Sequence, residues 1–194
     1  MKTLLYGLLL LTAVAHAEQL VPAQPDPVQS TPAQNLTAEQ TASQLRTLFF
    51  DASREGNNPM LDTFIEAHYD VNVRDEQGYT GLILAAYHGH EDSVVRLIDA
   101  GADPCAKDKR GNTALMGAIF KGELSIAKRL VQADCGANLT NNAGQTAAMY
   151  AALFKRTEVL KDLTDKGADL SLRDSMGNDV QGLSKGEFQV MPAR

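Results

Sequence analysis

Four glycines, Gly78, Gly111, Gly144 and Gly177, stand 33 residues apart. A fixed period of this length means that one small supersecondary unit is copied along the chain, each copy relying on its neighbours for burial. Each glycine closes a four-residue phrase: Asp75-Glu76-Gln77-Gly78, Asp108-Lys109-Arg110-Gly111, Asn141-Asn142-Ala143-Gly144 and Asp174-Ser175-Met176-Gly177. Asp or Asn followed three residues later by Gly is the chemistry of a tight turn, the side chain bonding local backbone and Gly accepting positive φ. Two residues on stand Thr80, Thr113 and Thr146, each able to cap a helix. One period back, the same frame lands on Thr47, so an atypical first unit lacks its own turn.

Within the frame the apolar residues split into two short runs. Leu82, Ala85 and Ala86 become Leu115, Ala118 and Ile119, then Ala148, Ala151 and Ala152, which is one face of a helix. After a breaker at Gly56, Gly89 or Gly122 a second run follows, Val94, Leu97 and Ile98 matching Leu61, Phe64 and Ile65. Helices this short are unstable alone in water and must bury their faces against the next unit. The chain is 44% hydrophobic but only 6% aromatic. Its core must therefore be built from Ala and Leu, which suits thin, closely stacked helices better than a deep cofactor pocket.

The phrases Gly78-Tyr79-Thr80-Gly81-Leu82, Ala85-Ala86-Tyr87-His88-Gly89-His90, Val94-Val95-Arg96-Leu97-Ile98 and Gly101-Ala102-Asp103 resemble the ankyrin repeat. The resemblance implies an all-α solenoid of about four helix-turn-helix units with turn and loop fingers, at about residues 45–77, 78–110, 111–143 and 144–176, within a domain spanning 44–182. Residues 183–194 read as a C-terminal tail. Some features depart from the family pattern. Gly81, Ala114 and Ala147 replace its Pro, and Ile83, Met116 and Met149 its His. Gly136-Ala137-Asn138 arrives two residues late, and Lys155-Arg156 replaces Gly-His between two helices, predicting a less regular junction.

Ahead of the repeats, Met1-Lys2-Thr3, an apolar run from Leu4 to Ala15 and Ala15-His16-Ala17 form the pattern of a secretory signal peptide over 1–17. The run is far shorter than the roughly 20 residues of a spanning helix, so stable membrane insertion after cleavage is not expected. Residues 18–43, with Pro22, Pro25, Pro27 and Pro32 among spaced glutamines, read as a flexible tether. The net charge of −6 offers no basic footprint for nucleic acid. A periplasmic or secreted location follows from the signal pattern.

Export into an oxidising compartment makes Cys105 and Cys135 candidates for a disulfide, the alternative being two separate thiols filling small spaces. His88, His90, Glu91 and Asp92 could be drawn as a metal site, but His90 sits at the family's usual Gly-His junction and no second His cluster supports it. Neither a metal nor a cofactor is expected, and no catalytic motif is present, so an enzyme is not expected either.

The family leaves variable, and points toward its concave groove, the two positions that follow each unit's paired small residues. Here they hold Arg54 and Glu55, Tyr87 and His88, Phe120 and Lys121, then Leu153 and Phe154. Repeated aromatics at such positions suggest a protein-binding surface. The alternative is that the rings fold back over adjacent turns or are covered by the tether. Tyr79, Arg110, Asn112 and Gln145 at the turn tips add an expected polar rim. The candidate partner site is therefore Tyr79, Tyr87, His88, Arg110, Asn112, Phe120, Lys121, Gln145 and Phe154. The short signal and small size are similar to bacterial periplasmic ankyrin proteins, some of them associated with catalase function and defence against peroxide. That resemblance implies another protein as partner, such as a periplasmic catalase. A structural or chaperone-like envelope-stress role stays open beside it.

Overall fold

Every unit after the first begins where its turn chemistry places it. In the computed structural model, which describes residues 37–133, 135–187 and 189, the carboxylate of Asp75 accepts from the backbone N–H of Gln77 and Tyr79, at 2.9 and 2.8 Å. Asp108 does the same for Arg110 and Asn112. The closing glycines adopt the left-handed backbone, φ 75 to 87°. Successive turns are then joined edge to edge. Lys109 N–H donates to the Gln77 carbonyl, Asn142 N–H to Arg110 and Ser175 N–H to Ala143, each at 2.9 Å.

The described residues carry nine helices: α1 Ala38–Glu55, α2 Asn58–Glu66, α3 Gly81–His88, α4 Glu91–Asp99, α5 Ala114–Lys121, α6 Leu124–Val131, α7 Ala147–Leu153, α8 Thr157–Asp165 and α9 Val180–Lys185. Among these residues the only β pairing is an isolated bridge between Thr140 and Thr146. The hydroxyls of Thr80, Thr113 and Thr146 accept from Ile83, Met116 and Met149 N–H, so the caps work despite the lost Pro and His. Inner helices α1, α3, α5, α7 and α9 stack in one row and outer helices α2, α4, α6 and α8 in another. This all-α solenoid is the architecture expected from the repeat.

The core is one apolar cluster running the length of the stack. Ala85, Ala118 and Ala151 are fully buried between layers, which lets the inner helices approach closely. Rings enter the core at the first unit, where Phe49, Phe50, Phe64 and Tyr69 pack with centroids 5.0 to 5.7 Å apart. Phe49 also explains Gly81: a Cβ there would lie 2.8 Å from the Phe49 ring and 2.7 Å from Ser53 Oγ. The site usually filled by Pro is taken by a neighbour's ring.

Two boundaries and one junction differ from what the sequence predicts. Helix α1 starts at Ala38, inside the segment assigned to the tether and ahead of residue 44, because Thr37 and Gln40 form a reciprocal capping box. Its first half stays exposed, Leu45 and Leu48 included, and burial begins at Phe49. At the other end α9 runs to Lys185, into the expected tail, since Asp179 caps it and Val180 and Leu183 bury against the stack. The junction at Lys155 keeps its geometry: Lys155 takes φ 56°, and Arg156 Nε donates to the Ile119 carbonyl at 3.4 Å. The expected signal peptide and the tether up to residue 36 lie outside the described residues.

Candidate functional site

The inner helices all end on the same edge, so the two residues after each pair of small ones form a column. Tyr87 and Phe120, at equivalent positions of α3 and α5, stack with centroids 6.2 Å apart and planes 12° from parallel. Phe154 meets Phe120 edge-on at 5.2 Å. These rings touch one another, yet Tyr87 and Phe120 remain 38% and 46% exposed. They neither fold back over the turns nor enter the core.

Between this aromatic column and the turn tips lies a groove of about 450 Å³. Tyr79, Tyr87, His88, Arg110, Asn112 and Phe120 all line it, over a floor that includes Ile83, Leu84 and Met116. The structure thus brings six of the nine expected partner-site residues to one cavity. Lys121 is adjacent, its Nζ 5.1 Å from the Tyr87 ring centroid, a cation–π arrangement. Phe154 reaches the groove only through Phe120. Gln145 is drawn inward instead of forming the rim: its Oε1 accepts from Asn141 Nδ2 at 3.0 Å.

Tyr150, Gly117 and Arg54 also line the groove, as do Asp75 and Asp108 from the turns. Tyr150 fills a position held by Leu84 and Gly117 in the earlier units, and its hydroxyl donates to Asn112 Oδ1 at 3.2 Å. Burial pushes its phenol pKa up, opposed by the hydrogen bond from Asn141. Gly117 leaves the cavity open, because a side chain there would start beside Tyr87, 3.7 Å from its Cδ2. The signal for both was the same frame read one helical turn earlier.

Burial lowers the His88 pKa from its ordinary value, and its neighbours His90, Arg54 and Lys121 lower it further. The ring is therefore neutral near pH 7. His90 is used structurally, its Nε2 2.9 Å from the Arg54 carbonyl. Among the described residues no group of three or more His, Cys, Asp or Glu side chains is gathered as a metal site requires. Cys105 and Cys135 lie at disulfide distance, sulfur to sulfur 2.00 Å and Cα to Cα 5.5 Å.

A family model described as ankyrin repeats, in three copies, matches residues 48–142 and 93–174, most of the described domain. The chain belongs to the ankyrin-repeat family. Within single stretches this ankyrin chain is similar to an Espin-like protein of Homo sapiens, 44% identical over 46 residues, which is 24% of this chain and 5% of that protein. It is also similar to an ankyrin repeat protein of Pseudomonas aeruginosa, 40% identical over 45 residues, 23% of this chain and 26% of the relative. The match thus spans about a quarter or less of either relative. Ankyrin repeats are protein–protein interaction modules, and no helix among the described residues is long and apolar enough to cross a membrane.

Proposed function

We propose that this protein is exported and captures a partner protein in the groove between its aromatic column and its turn tips, without chemistry of its own. The observation that carries this reading is the exposed Tyr87–Phe120 stack, continued by Phe154. Folding alone gives no reason to leave rings at successive equivalent positions in water, whereas interfaces concentrate their energy in such anchors. Export rests on the signal pattern of residues 1–17 and accords with the approach of Cys105 to Cys135, which we take to be bonded in the mature protein. The similarity to periplasmic ankyrin proteins associated with catalase function makes a periplasmic antioxidant enzyme the first partner to try.

The test is a photo-crosslinking side chain at position 120, compared with one at exposed Lys161 on outer helix α8, in cells making the full chain. A discrete adduct from position 120 and none from position 161 is expected. Equal labelling from both positions, or no adduct from 120, would overturn the groove reading. The mass of the mature chain checks export, the expected new N-terminus being Glu18.

A further inference from the structure

We infer that the segment bound in this groove is acidic, a strand or loop of the partner that places Asp or Glu beside an aromatic or aliphatic anchor. The inference rests on the groove reading above and adds the chemistry of the occupant. The protein as a whole is acidic, 24 Asp plus Glu against 18 Lys plus Arg. At the groove Arg54, Arg110 and the adjacent Lys121 stand against the carboxylates of Asp75 and Asp108. Arg54, Lys121 and Lys155 stand at or just beyond the ends of inner helices, although the position of His88 and Lys121 holds Glu55 in the first unit, and Arg110 lines the cavity from the turn side.

Helix C-termini favour cations locally, which explains why basic groups are tolerated there. The carboxylates of the cavity keep their charge, but their hydrogen bonds go to their own turns. Asp75 Oδ1 is taken by the N–H groups of Gln77 and Tyr79. Asp108 is 9% exposed, with Oδ1 accepting from Arg110 and Asn112 N–H and Oδ2 from Asn112 Nδ2. Only Arg54 of the basic column is balanced locally, by Asp51 at 2.6 Å. Glu55 follows Arg54 in the chain, and the Glu123 carboxyl lies against Gly89, at the junction between helices α5 and α6. Arg110 and Lys121, by contrast, enter no ion pair among the described residues.

The field at His88 agrees with this inventory, since after burial, the largest cause, the charges of Arg54 and Lys121 also lower its pKa. A carboxylate seated between Lys121 and Arg110 would meet two charge-assisted donors. Its neighbouring apolar side chain would meet the Tyr87 and Phe120 rings and the Ile83–Met116 floor. A cavity of about 450 Å³ has room for such an anchor.

Three short synthetic peptides test this, sharing one central Phe and flanked by Asp and Glu, by Asn and Gln, or by Lys. Each is titrated by fluorescence anisotropy into the purified full chain, at low and at high salt. The expected result is that the acidic peptide binds about tenfold more tightly than the neutral one at low salt. That preference should shrink with added salt and pass to the Lys peptide when Arg110→Glu is combined with Lys121→Glu. Loss of acidic-peptide binding in Tyr87→Ala with Phe120→Ala would place it in the groove. The inference is overturned if the neutral or basic peptide binds as well as the acidic one. It is also overturned if no peptide binds, if charge reversal leaves the ranking unchanged, or if the aromatic double variant binds the acidic peptide undiminished. A surviving position-120 crosslink alongside such a failure removes the acidic occupant alone; loss of that crosslink removes the groove reading itself.

Discussion

The His90 imidazole bonds the carbonyl oxygen of Arg54 at 2.9 Å, reaching from the start of one outer helix to the end of the preceding unit's inner helix. A carbonyl only accepts, so Nε2 carries the proton, and this bond fixes the tautomer. The ring lies so close to Gly56 that a Cβ there would be 2.4 Å from Nδ1, on a backbone with φ 70°. His90→Ala should cost about 1 kcal/mol for the lost bond. Gly56→Ala should cost more, about 1 to 3 kcal/mol, because strain adds to the clash. Removing the ring relieves the clash, so the double variant should lose less than the sum of the singles. Urea unfolding by circular dichroism checks it, and strict additivity would show that the contact between Gly56 and His90 has no energetic weight.

At Gly117 the openings for stability and for binding separate. A Cβ there makes only ordinary contact with Tyr87, and Gly within a helix is about 1 kcal/mol worse than Ala. Gly117→Ala is therefore expected to raise the unfolding midpoint and leave binding nearly intact. Gly117→Leu should fold as well but fill the cavity that Gly117 lines, weakening partner binding. Crosslinking from position 120 in the two backgrounds reads the difference.

The last turn of the array makes stability depend on acid. Burial disfavours the Asp174 carboxylate, but hydrogen bonds from the Asn178 side chain and backbone and from Met176 N–H outweigh it and leave the pKa below the ordinary value. A depressed folded pKa contributes stability that is fully present above the unfolded value, about 3.9, and is lost as pH falls through the lower folded value. Asn occupies the equivalent position at Asn141, where its Oδ1 accepts from Ala143 and Gln145 N–H. Asp174→Asn should thus fold. Its deficit against the unchanged protein, read from urea midpoints, should be constant above about pH 5 and shrink below about pH 4. A deficit independent of pH would assign the loss to something other than the carboxylate.

The repeat phase was legible because a tight turn and a helix cap accept few residue types, and Asp, Gly and Thr recur at those places. The aromatic column was legible for the same reason, since burial in the stack is assigned to the small residues just before it. What escaped depends on residues from outside the frame or from different units meeting. The Thr37–Gln40 capping box begins α1 ahead of any repeat position, and Pro-rich composition nearby masked it. The inward turn of Gln145 repeats the bonds of Asn112 and Asn178 to their turn Asp with the polarity reversed, since Asn141 Nδ2 donates where an Asp only accepts. Tyr150 belongs to the groove because Asn112, in the preceding unit, accepts its hydroxyl.

Cys105 and Cys135 are 30 residues apart in sequence and join the loops of neighbouring units. A bond closing a loop of that size stabilises by about 3 to 4 kcal/mol in the chain-entropy account. Cys105→Ser combined with Cys135→Ser should lower stability by up to that amount and leave the helical signal intact. Alkylation of the mature, exported protein under denaturing conditions should label neither cysteine until reductant is added. Two labelled thiols without reductant would remove the bond.

The exposed rings give the sharpest separation of folding from function. Tyr87 and Phe120 are more than a third exposed and touch each other, Phe154 and His88 rather than the core, each such ring pair being worth about 0.5 to 1.5 kcal/mol. Tyr87→Ala with Phe120→Ala should cost about that much stability, leaving the core residues Ala85, Ala118 and Ile119 and the turn ladder in place. Partner capture should fall far more steeply, because buried aromatic anchors each carry about 2 kcal/mol or more of an interface. Substituting equally exposed Leu124, on outer helix α6, controls for the loss of apolar surface as such. Thermal unfolding and co-purification of the crosslinked partner are read on the same preparations. If the Leu124→Ala control weakens capture as much as the double variant, the groove is not where the partner binds.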